Sequence, residues 1–238
     1  ALRLRHLFLG MNFHYLYISR KAVFVSCLYD LSDYELELVF SDTIGYTPRQ
    51  LLSSLALEED EMLQAFCADE LDEPLDSGKR VRFYDRIRSS SLAKILLEKS
   101  GEARRLLLSY LRQEGFLGSE KPGIVDIGWK GNTNRVLNYI LRREEDTNAY
   151  LSFFLGVKET RHPIASIGDY EAGYYFEDYL DEPEYAYNLF ALVYVLENYF
   201  SASDDTTLSR YREEDGTIYP EFSPGIISDA SKEKNQYI

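Results

Sequence analysis

Cysteine, histidine and tryptophan are scarce in this 238-residue chain, which contains two Cys, three His and one Trp. Cys27 and Cys67 are too few and too isolated for a disulfide framework or a cysteine-rich metal site. The histidines show no metal-ligand spacing with each other or with Cys. We therefore expect no metal site built from these residues, and the cysteine usage fits a reducing, cytoplasmic compartment.

Long apolar runs and net positive charge are also missing. The longest apolar run, Leu189 to Leu196, has eight residues, whereas a helix that spans a bilayer needs roughly 20. We therefore expect no membrane span. The formal net charge is −14 at pH 7, and an acidic chain repels phosphate backbones, which argues against nucleic acid as a partner. A local basic cluster can still bind a small anion.

Three familiar motifs of nucleotide-binding proteins and hydrolases are absent as well. The chain contains neither G-x-x-x-x-G-K-[ST] nor G-x-G-x-x-G, and it has no G-x-S-x-G nucleophile elbow. The sequence therefore identifies no nucleophile, and whether the protein is an enzyme stays open.

The order of the predicted elements indicates an α/β fold. Apolar runs at 124–126 and 149–157 predict two strands, and Thr133–Arg143 between them predicts a helix. This is the spacing of a βαβ unit, which favours a parallel sheet. Aromatic and β-branched residues predict an earlier strand at 13–19. GYYFED (173–178) and DGTIYPEFSPG (215–225) predict two later strands.

A helical region interrupts this pattern from about residue 30 to residue 115. Thr47 is the predicted N-cap of a helix with Pro48 at its first position. We expect a loop over 70–80 and a long helical region over 82–114, broken at Ser100-Gly101, with the serines at 89–91 capping the helix from Leu92. An apolar helix is predicted at 188–202 and a disordered tail at about 228–238.

These elements predict a single α/β domain over 1–238. Its sheet would be mostly parallel, Rossmann-like or phosphoribosyltransferase-like, with an inserted helical cap over about 30–115. The phosphoribosyltransferase-like alternative rests on a loose likeness of residues 124–133 to an element of those enzymes. In that element a strand, an acidic residue, a loop and a Thr at the start of a helix bind a ribose phosphate.

The segment that joins the predicted strand at 124–126 to its helix holds the main candidate site. Ligands of open α/β sheets bind at the carboxyl ends of strands, and the N-terminus of the following helix favours anions. Asp126 is the candidate catalytic residue, placed to orient a sugar hydroxyl, a Mg²⁺-bound water or the loop's own amides. The candidate ligand-binding residues of this segment are Gly128, Trp129, Lys130, Gly131, Asn132 and Thr133.

Each of these residue types has a reason to contact a sugar phosphate. The glycines permit close backbone approach, Lys130 adds positive charge, and Trp129 can stack on a sugar or base. Asn132 or Thr133 can cap the helix or donate to an oxyanion. The same residues also fit a purely structural turn with the Trp in the core, and both interpretations stay open.

A second candidate patch follows the predicted strand at 13–19 and consists of Ser19, Arg20 and Lys21. If that strand ran parallel to 124–126 and beside it, both loops would open on the same edge of the sheet. Arg20, Lys21 and Lys130 would then form a cationic cluster suited to phosphate. Alternatively, Arg20 and Lys21 are solvated or paired with some of the 40 acidic residues.

Three stretches together resemble a known family. YLYISRKAVF (15–24), IVDIGWKGNTNRVL (124–137) and VLENYFSASDDTTLSRY (195–211) occur in this order. In this they are similar to the C-terminal region of haloacid dehalogenase-like proteins found with bacterial surface-polysaccharide genes, sometimes fused to glycosyltransferases. Members begin with a domain that carries a DxDxT-type nucleophile motif, which this sequence lacks. The resemblance therefore does not extend to phosphatase chemistry.

The resemblance implies a domain that binds a phosphorylated or nucleotide-activated sugar, with Mg²⁺ as a candidate cofactor. If the domain is catalytic, glycosyl or phosphoryl-sugar transfer is the implied reaction class. The alternative is a non-catalytic accessory domain that packs against an upstream haloacid dehalogenase-like or glycosyltransferase domain.

Overall fold

The computed structural model describes seven segments of the chain: residues 12–40, 45–120, 122–129, 131–144, 150–157, 172–177 and 206–223. The helices in these segments are α1 (Arg20–Val25), α2 (Asp33–Phe40), α3 (Pro48–Ser54), α4 (Glu59–Met62), α5 (Ala68–Asp72), α6 (Ser77–Ser89), α7 (Leu92–Gln113) and α8 (Asn132–Glu144). The strands are β1 (Gly123–Trp129), β2 (Leu151–Val157), β3 (Ala172–Glu177), β4 (Leu208–Glu214) and β5 (Thr217–Phe222). The predicted helix at 188–202 and the predicted tail at about 228–238 lie outside the described residues.

A parallel sheet of three strands follows the helical region. Its order is β1-β2-β3, with Asp126 opposite Phe154 and Ser152 opposite Ala172. The predicted βαβ unit is therefore confirmed as β1–α8–β2, and GYYFED contains the predicted strand, β3. The mixed α/β class is shown. A Rossmann-like or phosphoribosyltransferase-like sheet stays a prediction, as do the single domain and the helical insertion.

The predicted strand at 13–19 is wrong. Residues 12–19 form no regular secondary structure and lead into α1 at its N-cap, Ser19. Tyrosine hydroxyls form hydrogen bonds with the backbone of this segment, in place of those that a neighbouring strand would form. The amide of Tyr17 donates to the Tyr110 hydroxyl at 3.0 Å, and its carbonyl accepts from the Tyr211 hydroxyl at 2.6 Å. Long-range side-chain contacts thus override the local β preference.

Local capping rules located several helix ends correctly. Thr47 caps α3 in a capping box with Gln50, and Pro48 is its first residue. Ser91 is the N-cap residue of α7, and the Ser90 hydroxyl accepts from the Leu92 amide at 3.3 Å. The loop predicted over 70–80 is shorter than expected, because α5 ends at 72 and α6 begins at 77.

The predicted break at Ser100-Gly101 does not occur, since α7 is continuous from Leu92 to Gln113. The buried Ser100 hydroxyl accepts from the Leu28 amide at 3.0 Å and donates to the Leu28 carbonyl at 2.8 Å. This serine therefore fastens α7 to the segment that follows α1, and the tertiary contact outweighs the low helix propensity of the Ser-Gly pair.

Strands β4 and β5 form an antiparallel hairpin that the sequence predicted only in part, as the strand within DGTIYPEFSPG. Its two turn residues, Asp215 and Gly216, have φ of 50° and 75°, as a two-residue type I′ turn requires. The hairpin lies against α7, where the Tyr110 and Tyr211 rings stack with centroids 4.8 Å apart.

A buried carboxylate joins the helical region to α8. Glu35, on α2, is fully buried, and its Oε2 accepts from the amides of residues 29, 30 and 31 at 2.9, 3.1 and 2.9 Å. Its Oε1 accepts from the Tyr139 hydroxyl at 2.7 Å and from Arg143 at 3.0 Å. We call this group (Glu35, the amides of 29–31, Tyr139 and Arg143) the Glu35 junction.

Two guanidinium groups extend the junction to α7. The guanidinium carbons of Arg104 and Arg143 lie 3.6 and 4.3 Å from the centroid of the Tyr29 ring. Arg104 also donates to the carbonyls of Ser26 and Leu28 at 3.0 and 3.1 Å, and it pairs with Glu144 at 3.1 Å. The C-terminal half of α8 is therefore bonded to both α2 and α7.

We expect Glu35→Ala to lower the free energy of unfolding by about 3 kcal/mol or more, because three amides and a guanidinium lose their acceptor. Chemical denaturation followed by circular dichroism measures this change. Glu98→Ala is the matched control, since Glu98 is exposed and pairs with Lys94 at 3.8 Å within one helix, and it should change the stability little. Equal losses in the two variants would contradict the role given to the junction.

Two Gly→Ala substitutions should change stability in opposite directions. Neither Gly216 nor Gly101 has an atom within 4 Å of the position of an added Cβ, but only Gly216 has a positive φ, 75°. Gly216→Ala should therefore cost about 1 kcal/mol, whereas Gly101→Ala, inside α7, should stabilise the protein by about 0.5–1 kcal/mol. Thermal melts of the two variants beside the wild type should show a lower melting temperature for Gly216→Ala and a higher one for Gly101→Ala. Shifts of the same sign would contradict the backbone conformations given to these two glycines.

Candidate functional site

Strand β1 presents Asp126 to the face of the sheet that α8 covers. Side chains alternate along a strand, so Ile124 and Asp126 lie on one face and Val125 on the other. Val125 is 75% exposed, whereas Ser152 and Phe154, on the α8 side of β2, are buried. The candidate catalytic carboxylate therefore lies, half-buried, between the sheet and a helix.

An asparagine that the sequence did not single out holds this carboxylate. Asn134, in the first turn of α8, donates from Nδ2 to Oδ2 of Asp126 at 3.1 Å. Asn134 is itself buried, so its amide cannot exchange this partner for water. The contact links the middle of β1 directly to the N-terminal turn of α8.

Two buried hydroxyl groups hold Asn134 in turn. The Tyr150 hydroxyl donates to the Asn134 backbone carbonyl at 2.9 Å and lies 3.4 Å from Oδ1, while the Ser152 hydroxyl donates to Oδ1 at 3.4 Å. We call Asp126, Asn134, Tyr150 and Ser152 the Asn134 cluster. It connects β1, α8 and β2 through polar groups, with Asp126 in the middle of β1 and Tyr150 and Ser152 at the amino end of β2.

Gly131 sets the direction in which the chain enters α8. Its φ is +62°, a left-handed conformation that favours glycine, and its carbonyl accepts from the Arg135 amide at 2.9 Å. The helix begins at Asn132, one residue earlier than predicted, so Asn132 and Thr133 belong to its first turn. Gly131, not Asn132 or Thr133, therefore precedes the helix, and the first amides of α8 lie near the end of β1.

Strand β1 is longer than the predicted strand at 124–126. Gly128 and Trp129 were expected in a loop, but they are the last residues of β1 and pair with Gly156 and Val157 of β2. Their backbone groups thus belong to the sheet ladder, and the connection from β1 to α8 consists only of residues 130 and 131. The Trp129 side chain and the whole of Lys130 lie outside the described residues.

The second candidate patch, Ser19 to Lys21, has a clear structural role at one of its positions. The Ser19 hydroxyl caps α1 by accepting from the Ala22 amide at 3.1 Å, and it donates to the Leu208 carbonyl of β4 at 2.8 Å. Arg20 is exposed, with its guanidinium 4.8 Å from the Phe24 ring centroid, and Lys21 is half-buried. Since residues 13–19 are not a strand, the predicted reason for these residues to meet the β1–α8 connection is wrong.

The cluster can supply one carboxylate to a ligand or to a cation that a ligand carries. Among the described residues, no group of three or more His, Cys, Asp or Glu side chains could hold a metal ion. A Mg²⁺ ion bound to substrate phosphates needs only one or two protein carboxylates.

Asn134 could have been found in the sequence by its position in the apolar stripe of α8. Asn134, Leu137, Asn138 and Leu141 are spaced i, i+3, i+4 and i+7, so they share one face. A polar residue on such a face must find a buried partner. No local pattern, however, connects Asn134 to Tyr150 and Ser152, which lie 16 and 18 residues away.

Among the described residues, no helix is long and apolar enough to cross a membrane.

Replacing Asn134 by Asp should make stability depend on pH. The two carboxylates would meet where Asn134 and Asp126 are now 3.1 Å apart, so one would keep a proton when folded and its folded-state pKa would exceed its unfolded value. The deficit of Asn134→Asp relative to wild type should therefore be smallest below about pH 4 and grow towards pH 7. Urea denaturation at several pH values measures it. Asn134→Leu, which loses the same bonds without adding charge, should show no such trend, and parallel profiles would contradict the contact.

Comparison with models of known protein families finds no match for this chain. A search of curated proteins likewise finds no similar sequence.

Proposed function

We propose that this protein binds a phosphorylated or nucleotide-activated sugar where β1 meets α8. The observation that supports this most directly is the Asn134 cluster, which fixes a half-buried carboxylate, Asp126, beside the N-terminus of a helix. Helix N-termini favour phosphate, and fixed carboxylates accept from sugar hydroxyls or hold the water of a Mg²⁺ ion. The helix N-terminus follows the carboxyl end of a parallel strand, where ligands of α/β proteins bind, whereas Asp126 lies in the middle of that strand and not at its end as expected.

Each candidate residue then has a distinct role. Asp126 orients a hydroxyl or a phosphate-bound Mg²⁺, and the first amides of α8 with the Lys130 charge attract the phosphate. Trp129 stacks on the sugar or base. Arg20 and Lys21 belong to the site only through the family resemblance, since the strand expected to bring them there is absent.

The resemblance to haloacid dehalogenase-like proteins supports a place in bacterial surface-polysaccharide biosynthesis, in the cytoplasm. Glycosyl or phosphoryl-sugar transfer is the reaction class that fits a bound activated sugar. An upstream haloacid dehalogenase-like or glycosyltransferase domain is the proposed partner.

A second function, as a non-catalytic docking domain, is favoured by one surface feature. Val125 and Phe153 are paired neighbours on the sheet face opposite α8, and they are 75% and 45% exposed. Adjacent exposed apolar side chains are common at protein contacts. If the ligand experiment below gives no response, this function becomes the better proposal.

Ligand-induced stabilisation tests the binding of an activated sugar. We would add pyrophosphate, glucose 1-phosphate, uridine diphosphate glucose and phosphoribosyl pyrophosphate, each with and without Mg²⁺, and follow thermal unfolding. A ligand at 100 times its Kd should stabilise the fold by about 2.7 kcal/mol, or roughly 5–10 °C for a chain of this size. Lys130→Ala should abolish most of the shift because it removes the charge beside the phosphate.

The matched control is Lys94→Ala, since the Lys94 side chain on α7 is 82% exposed and far along the chain from the site. It should respond to the ligands as the wild type does. No shift with any ligand, in a protein that melts cooperatively, would refute the binding function. An equal shift in Lys130→Ala and wild type would locate the ligand elsewhere.

A further inference from the structure

We propose that Asn134 is a positioning residue for the ligand site, that the Ser152 hydroxyl determines which end of its amide faces Asp126, and that the Tyr150 hydroxyl holds its backbone carbonyl. This inference rests on the proposed function, because it assigns the Asp126 carboxylate a task that depends on its orientation. The sequence patterns that selected residues 126–133 gave no role to Asn134, Tyr150 or Ser152.

The chemistry of the amide permits only one productive orientation. Nδ2 can only donate and Oδ1 can only accept, while an ionised carboxylate only accepts. Nδ2 lies 3.1 Å from Oδ2 of Asp126, and Oδ1 lies 3.4 Å from both hydroxyls. Reversing the amide would turn Oδ1 towards the carboxylate, so that two acceptors faced each other.

Burial makes this orientation costly to lose. Asn134, Tyr150 and Ser152 are all buried, so water does not replace a broken contact within the group. The Tyr150 hydroxyl also donates to the Asn134 backbone carbonyl at 2.9 Å, which fixes the first turn of α8 as well as the side chain. Tyr150 is itself held by an edge-on contact with Phe116, with ring centroids 5.6 Å apart.

The carboxylate of Asp126 is thereby held in one direction before any ligand arrives. A group that must orient a hydroxyl or a metal-bound water acts best when its own geometry is already fixed. A purely structural pin between β1 and α8 would show the same hydrogen bond, so the two roles must be separated by experiment.

Exchanging Asp126 and Asn134 distinguishes the positioning role from a purely structural role. Asn134→Asp would set two carboxylates against each other, and Asp126→Asn would leave an uncharged amide–amide bond. The double variant restores an amide–carboxylate bond with the carboxylate moved from the strand to the helix. The Ser152 hydroxyl can donate to a carboxylate at position 134 as it does to the amide oxygen, while the Tyr150 hydroxyl keeps its bond to the backbone carbonyl of residue 134. We expect the double variant to regain more than half of the stability lost by Asn134→Asp.

Ligand affinity should not recover with stability. With the ligand that gives the largest shift for wild type in the panel above, the double variant should bind at least about ten-fold more weakly, because the carboxylate no longer lies on β1. If the double variant bound the ligand as tightly as the wild type, the proposal would be overturned, and the Asp126–Asn134 pair would have only a structural role.

A pair of Tyr→Phe variants gives an independent readout. Tyr150→Phe removes a hydroxyl that bonds Asn134, and Tyr139→Phe removes a hydroxyl that bonds Glu35 at 2.7 Å on the same helix. Both should lose stability, but only Tyr150→Phe should weaken ligand binding, by about three-fold or more. Equal affinities in these two variants would also overturn the proposal.

The outcomes distinguish this inference from the proposed function. If wild type responds to no ligand, the proposed function fails and the positioning role fails with it, whatever the exchange does to stability. If wild type responds and the exchanged protein binds equally well, only the positioning role fails.

Discussion

The buried carboxylate of Glu35 is the constraint on which the arrangement of the described elements depends. A charge with no exposure to water is tolerated only when donors surround it, and here three amides, one hydroxyl and one guanidinium do so. The amides come from the turn between α1 and α2, in which Leu31 has a left-handed conformation with φ of 56°. The other two donors come from α8. The chain therefore satisfies Glu35 only when α8 is docked against the helical region, which couples the helices to the βαβ unit.

Helix α8 contacts both Glu35 and the candidate site. Its C-terminal half carries Tyr139 and Arg143 to Glu35, while its first turn carries Asn134 to Asp126. The same helix thus has polar contacts at both ends and an apolar stripe between them that packs into the core, including Leu137. Apolar packing fixes how deeply the helix lies on the sheet, but it is directionally weak. The two polar ends add direction, so the rotation and the register of α8 are set together with the position of its N-terminus.

Sequence patterns predicted the elements whose signals are local and failed where a distant side chain decides. The capped start of α3 and the βαβ spacing around α8 need only neighbouring residues, and both were predicted. Residues 13–19 have strand composition, yet the hydroxyls of Tyr110 and Tyr211 take the backbone groups of Tyr17. At the candidate site, the sequence patterns singled out Asp126 but not Asn134, because the hydrogen bonds of the Asn134 side chain reach residues on other elements. What the sequence missed is therefore mainly long-range polar contact.

Position and charge are supplied by different groups in the proposed site. The protein carries a net charge of −14, but at physiological ionic strength charges are screened beyond about 8 Å, so nearby groups decide whether a phosphate binds. Several described guanidiniums already pair with carboxylates: those of Arg49, Arg88, Arg105, Arg210 and Arg212. An amide and two hydroxyls, by contrast, hold Asp126 through hydrogen bonds to and from Asn134. The hydrogen bonds of the Asn134 cluster therefore change little with salt, whereas the proposed attraction of a phosphate by the α8 N-terminus and Lys130 should weaken as the salt concentration rises. A higher ionic strength should then lower the affinity for a phosphorylated ligand without changing the position of the Asp126 carboxylate.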